Sequence, residues 1–144
     1  MTKVFIDTNI AIDLLCERYP WFDDASELFS MADRGEIELY CSSLSLATAS
    51  YIMETRKMRR NEIIENLSLF CQLCTLTRVD AEVVQQALQS QFTDFEDALQ
   101  YFSALTENAD IIITRNENDF ALSNLPVMTA AEYLASTKLI SPLA

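Results

Sequence analysis

Val4-Phe5-Ile6-Asp7-Thr8-Asn9 is the stretch whose reading decides the fold. Three consecutive apolar residues read as a short buried strand, and the polar triplet behind them offers side-chain oxygens suited to capping a helix. A strand that passes straight into a capped helix is the opening of a βα unit. Outward from it, Ile10, Leu14 and Leu15 stand at helical spacing within 10–18, and Pro20 opens a second helix with Trp21, Ala25, Leu28, Phe29 and Ala32 on one face. Gly35, the only glycine, is placed to end that helix.

The alternation continues along the chain. Residues 37–41 read as a second strand, 44–56 and 62–74 as helices, and 76–79 as a third strand. Asp80 is expected to cap a helix reaching about residue 90, and Thr93 to start another reaching about 108. Ile111-Ile112-Ile113 has the fully apolar, β-branched character of a central parallel strand. Pro126-Val127-Met128 is a weaker strand, and Thr129-Ala130-Ala131-Glu132 is a capping box for a terminal helix. Strands alternating with helices predict a three-layer α/β/α domain with a central, mainly parallel sheet over residues 1–137, followed by a tail over 138–144.

With 144 residues, 50% of them hydrophobic, the chain suffices for one core and not for two ordinary domains. Neither a signal-like apolar stretch at the amino end nor a run long enough to cross a bilayer is visible, so a soluble, cytoplasmic protein away from membranes is expected. Of the four cysteines, Cys71 and Cys74 form a C-x-x-C pair, but the chain has no histidine and no second pair. Both are expected as buried helix positions rather than zinc or redox ligands. The net charge of −12 excludes general electrostatic attraction to nucleic acid, which relies on lysine and arginine releasing counterions. Any contact with nucleic acid must be local, and Arg56-Lys57-Met58-Arg59-Arg60 holds four of the ten basic residues. That run reads equally as a solvated connection and as a phosphate contact.

In an open parallel sheet ligands bind beyond the carboxyl ends of the strands, which directs attention to Asp7 and to Thr114-Arg115-Asn116-Glu117-Asn118-Asp119-Phe120. Thr93-Asp94-Phe95-Glu96-Asp97 opens a helix toward the same edge. Thr93 with Glu96 reads as a capping box, giving Glu96 a structural role, and Asp94 suits the helix dipole. Asp97 lies beyond the reach of capping and shares a face with Asp94, while Phe95, Ala98, Leu99 and Phe102 would anchor the helix to the core. Asp97 is therefore the better functional candidate. From the residues alone, a carboxylate metal site and scattered capping acids both remain open.

Phe5-Ile6-Asp7-Thr8-Asn9, Asp94-Phe95-Glu96-Asp97-Ala98 and Ile113-Thr114-Arg115-Asn116-Glu117-Asn118-Asp119-Phe120, in this order and separation, resemble the PIN-domain family of metal-dependent ribonucleases, which includes VapC-like toxins of bacterial toxin–antitoxin pairs. The resemblance covers nearly the whole chain. It implies Asp7, Asp97 and Asp119 as catalytic metal ligands, with Asp94 joining through water and Asn116 and Thr114 in support. Asn9 would fix the turn that aims Asp7. Hard carboxylate oxygens suit Mg²⁺ or Mn²⁺, which would activate water and stabilise charge on the phosphate. Arg115 or the cluster of Arg56, Lys57, Arg59 and Arg60 would touch phosphates of RNA.

The chain departs from the family pattern at Thr48, where relatives often carry glutamate, and at Asn116, where many carry aspartate. The first expectation is a metal-dependent endoribonuclease of single-stranded RNA, with an antitoxin-like partner and a homodimer as family expectations. The alternative is a weakened or inactive PIN-fold module that binds nucleic acid or protein. A phosphate-transferring receiver domain fits poorly, because it needs paired acids after the first strand and a lysine late in the sheet.

Overall fold

The computed structural model describes residues 1–140, the side chains of the last two excepted. The opening strand β1 (Lys3–Ile6) stands in the middle of a five-stranded sheet, between β2 (Glu38–Ser42) and β4 (Ile111–Ile113). Outside them lie β3 (Cys74–Thr77) and β5 (Val127–Met128), giving the order β3-β2-β1-β4-β5 with every pairing parallel. Parallel neighbours require crossovers, and among the described residues seven α-helices supply them or flank them: α1 (Thr8–Leu15), α2 (Phe22–Asp33), α3 (Ser43–Thr55), α4 (Arg60–Leu73), α5 (Ala81–Gln89), α6 (Phe95–Thr106) and α7 (Ala130–Ile140). The expected α/β/α layering with a parallel central sheet is the observed one.

Period-two alternation sorts the strand residues between the layers. Val4 and Ile6 pair in register with Ile111 and Ile113, and these four join Leu39, Leu28, Phe29, Tyr133 and Leu134 in the core beneath α1, α2 and α7. Phe5 and Ile112 point the other way and pack with Tyr101, Ala104 and Phe120 under α6. All six of these β1 and β4 residues are buried on both faces of the sheet, as their uninterrupted apolar runs require.

Several helix ends form as expected, among them the Asp80 cap of α5, whose Oδ1 accepts Val83 N–H at 3.0 Å. Gly35 has a φ of +75° and lets Glu36 N–H reach the Met31 carbonyl at 2.9 Å, closing α2. At α7, Thr129 N–H donates to Glu132 Oε1 at 2.9 Å and Glu132 N–H to Thr129 Oγ1 at 3.1 Å. α7 continues through Ile140, and the last four residues of the expected tail lie outside the described residues.

Other expectations need correction. β3 begins two residues early, because α4 runs into it without a loop and its inward residues are Cys74 and Thr77, while Leu76 is exposed on this edge strand. Cys71 is exposed on α4 and Cys74 belongs to β3, so neither is a buried helix position. Trp21 precedes α2 and is 42% exposed, because the ring leaves the apolar face to stack on an arginine. α6 is capped by Asp94, not Thr93: Asp94 has extended backbone and its carboxylate accepts Asp97 N–H at 3.0 Å. A charged acceptor one residue nearer the helix displaces the hydroxyl. The Thr93–Glu96 capping box is therefore not formed, and Phe95 is 47% exposed instead of anchoring the helix. Among the described residues no helix is long and apolar enough to cross a membrane.

Candidate active site

Asp7 takes its position from the backbone on both sides. Its N–H extends the β1–β4 ladder by donating to the Ile113 carbonyl at 2.9 Å, and its carbonyl accepts Ile10 N–H at 3.0 Å as the first helical bond of α1. The side chain is buried and caps α1, with Oδ1 accepting Thr8 N–H at 2.8 Å. Oδ2 accepts the Thr114 hydroxyl at 2.8 Å across the two central strands. Thr114 is itself buried and accepts Asn116 N–H at 3.0 Å and the Asn9 amide at 3.5 Å. Asn9 also accepts Arg115 N–H at 3.5 Å, so it ties the start of α1 to the loop after β4.

The acids from three strand and helix ends share one field. Burial pushes the Asp7 carboxyl up, the hydrogen bonds from Thr114 and Thr8 oppose this, and the charges of Glu96 and Asp119 push it up again. Asp97 is pushed up to about 7, by burial first and then by the charges of Asp94, Asp7, Asp119 and Glu96. Asp119, on the short 3-10 turn Glu117–Phe120, and Asp94, at the cap of α6, are both exposed around these two. Glu96, expected to serve only as a cap, is part of the acidic group. Sequence reasoning dismissed it because the cap was placed one residue early.

Below the acids lies a buried polar seam. Gln100 Nε2 donates to Thr8 Oγ1 at 3.0 Å and to Ser45 Oγ at 3.3 Å, and the Thr8 and Ser45 hydroxyls stand 2.6 Å apart. It joins α6, α1 and α3 directly under the carboxylates. Among the described residues no buried side-chain nitrogen or oxygen lacks a partner. Gln100 and Ser45 were missed, although polar residues inside apolar helical stretches already indicate a buried hydrogen-bonded pair.

The basic residues are not gathered at the acids. Arg115 donates from Nε to Asp13 Oδ2 at 2.9 Å and from Nη2 to Asp13 Oδ1 at 3.1 Å, while Arg18 Nε reaches Asp13 Oδ1 at 2.9 Å. Asp13 is completely buried, and the Arg115 guanidinium lies 3.8 Å from the Trp21 ring centre. An acid in the apolar stretch Ile10-Ala11-Ile12-Asp13-Leu14 was the signal that could have found this pair, since a buried charge demands a partner. Arg56, Lys57, Arg59 and Arg60 form the α3–α4 connection, with Arg56 donating to the Cys16 carbonyl at 3.3 Å. α3 starts at the strand-end edge, so this connection lies about 20 Å along the helix from it. Thr48 is half-buried on α3 and its hydroxyl turns back to the Leu44 carbonyl at 3.4 Å.

Among the described residues no three acids stand close enough to form a ready-made metal cage. The donor chemistry nevertheless fits a divalent cation. Several hard oxygens share an excess of negative charge that a dication would neutralise; burial first, and that charge second, push the Asp97 carboxyl up to about 7.

Comparison with known proteins identifies the family. The PIN domain family pattern matches residues 3–118. The chain is 23% identical over 136 residues to ribonuclease VapC1 of Aquifex aeolicus (strain VF5), covering 91% of this chain and 92% of that protein. Its fold is similar to that of VapBC-1 from nontypeable Haemophilus influenzae, with a TM-score of 0.64 at 16% identity over 90% of this chain and 99% of the other. It is also similar to VapBC2 from Rickettsia felis bound to a DNA fragment from their promoter, with a TM-score of 0.62 at 17% identity over 88% and 97% of the two chains. The family match spans most of the described fold, from the first strand through the loop that follows β4, and the protein belongs to the PIN domain family.

Proposed function

We propose that this protein is a divalent-metal-dependent endoribonuclease of single-stranded RNA, acting in the cytoplasm as the toxin of a toxin–antitoxin pair. The observation that supports the reading is the placement of Asp7, Asp94, Glu96, Asp97 and Asp119 at the carboxyl-end edge of the parallel sheet, where burial first and then the charges of the other acids push the Asp97 carboxyl up to about 7. Asp7 and Asp97 would hold Mg²⁺ or Mn²⁺, with Asp119 and Asp94 assisting. The bound ion would supply an activated water and stabilise charge on the phosphate. Thr114 fixes the rotamer of Asp7, Asn9 and Asn116 hold the Thr114 loop, and the Gln100 seam sets the distance between α1 and α6.

Purified protein with Mn²⁺ should cleave a single-stranded RNA, and Asp7→Asn and Asp97→Asn variants that remain folded should lose at least about a hundredfold in rate. Undiminished cleavage by both variants would remove this site from consideration. The second reading, a binding module without activity, draws on Thr48, whose position offers a hydroxyl engaged with its own helix instead of a carboxylate. Calorimetric titration with Mn²⁺ separates the two: binding lost in Asp97→Asn supports the enzyme, and no binding by the wild type supports the module. An antitoxin-like protein and a second copy of the chain are the proposed protein partners, tested by co-purification and by light scattering.

A further inference from the structure

A ribonuclease with a net charge of −12, whose one dense run of basic residues lies away from its acids, needs a means of holding RNA beyond a few phosphate contacts. Beside the acids opens a cavity of about 400 Å³, lined by Ile10, Asp13, Trp21, Asp24, Arg115 and Asn116 and by the first turn of α7. Asp13 lies six residues along α1 from Asp7, about 9 Å by helical rise, which is a separation of one or two nucleotides. Asn116 lines this cavity and also the shallow depression that holds Asp119.

The stack of Arg115 on Trp21 is built to stay in place. Both forks of the guanidinium are held by a carboxylate that is 0% exposed and that also binds Arg18, so Arg115 cannot swing away. Burying Asp13 beneath two partly exposed arginines costs desolvation that an apolar contact would avoid, and it leaves a rigid planar platform at the cavity wall. Trp21 remains 42% exposed beside it. Unpaired bases of single-stranded RNA stack on such aromatic and guanidinium planes. The polar groups around the platform are also complementary in kind: Asp24 can only accept, whereas the Ala130 and Ala131 amides, in the first turn of α7, have no acceptor in their own helix.

We propose that this cavity is a base-binding subsite in which an unstacked guanine, one or two nucleotides from the cleaved phosphate, lies against the Trp21–Arg115 pair. Guanine places two adjacent donors, N1–H and the N2 amino group, where Asp24 accepts them, and its O6 toward the amide donors of α7. No other standard base offers two adjacent donors to a carboxylate. The subsite rests on the ribonuclease reading for its role but not for its test.

Trp21 is the only tryptophan in the chain, so its fluorescence reports on this cavity. Guanosine, which carries no phosphate, is titrated into the full-length protein in chelator, with inosine, lacking the N2 amino group, and uridine as comparisons. Saturable quenching by guanosine in the millimolar range, about tenfold weaker for inosine and uridine, is expected. In Asp24→Ala the quenching should persist and the preference should vanish. Linear quenching equal for all three nucleosides overturns the proposal, as does quenching by a co-purified partner protein and by no nucleoside. Selective quenching without metal-dependent cleavage under any condition keeps the subsite and refutes the nuclease. Cleavage indifferent to guanine, with no quenching, keeps the nuclease and refutes the subsite.

Discussion

At the scale of single residues, Asp97 carries the largest consequence. Its folded value of about 7 lies above the 3.8 of an ordinary aspartate, so between those values the folded chain binds more protons than the unfolded one. Stability from this group is therefore greatest at the acid end and falls as pH rises from about 4 to about 7, with Asp7 acting in the same direction. Thermal melts in chelator should show a smaller loss of Tm between pH 5 and pH 8 for Asp97→Asn than for the wild type, and a higher Tm at pH 8. Mn²⁺ should raise the wild-type Tm at pH 8 and leave that of the variant unmoved. Thr48→Glu should tighten Mn²⁺ binding by about tenfold if its position borders the acids, a gain of the size one added charge-assisted contact provides. That Asp7, Asp97 and Asp119 lie at one edge was legible from strand ends and chain order, whereas a ligand role for them came from the family resemblance and not from the residues alone. Glu96 was not, since whether Thr93 or Asp94 caps α6 depends on backbone angles that the residue types leave open. The partner of Arg115 was equally hidden, because Asp13 lies 102 residues away.

At the scale of elements, the strands and helices were legible wherever one face was buried, and least so at the edge. β3 was misplaced because an edge strand shows its apolar Leu76 to solvent and buries Cys74 and Thr77, reversing the pattern that marks a core strand. Two helix features lend themselves to measurement. Gly35→Ala meets no atom within 4 Å, so its cost is purely that of a φ of +75°, about 1 kcal/mol, read as a fall of a few degrees in Tm. Gln100→Leu removes the link between α6 and the hydroxyls of α1 and α3, at about 1–3 kcal/mol for the buried groups it leaves short of partners. Cleavage should fall further than the loss of folded protein explains, because the same residue spaces Asp97 from Asp7; a variant whose activity tracks only its folded fraction would refute this spacing role.

At the scale of the whole molecule, an acidic chain meeting a polyanion should bind with a shallow salt dependence. With about two phosphate contacts, affinity for RNA should fall only about tenfold between 50 and 200 mM salt, far less than for a binder with six or more. A steep dependence, measured by fluorescence anisotropy, would mean that the Arg56–Arg60 connection reaches the strand after all. The sheet order adds a consequence in time. The bond from Thr114 to Asp7 spans 107 residues, and β4 is inserted beside β1 only after the first three strands have been made. Such long-range pairing forms late. A chain still being translated can display Asp7 and Asp97 while the residue that aims the first of them is unborn. Under the proposed nuclease reading, the site would be completed only once almost the whole chain has emerged, so the act of synthesis itself would delay the onset of cleavage.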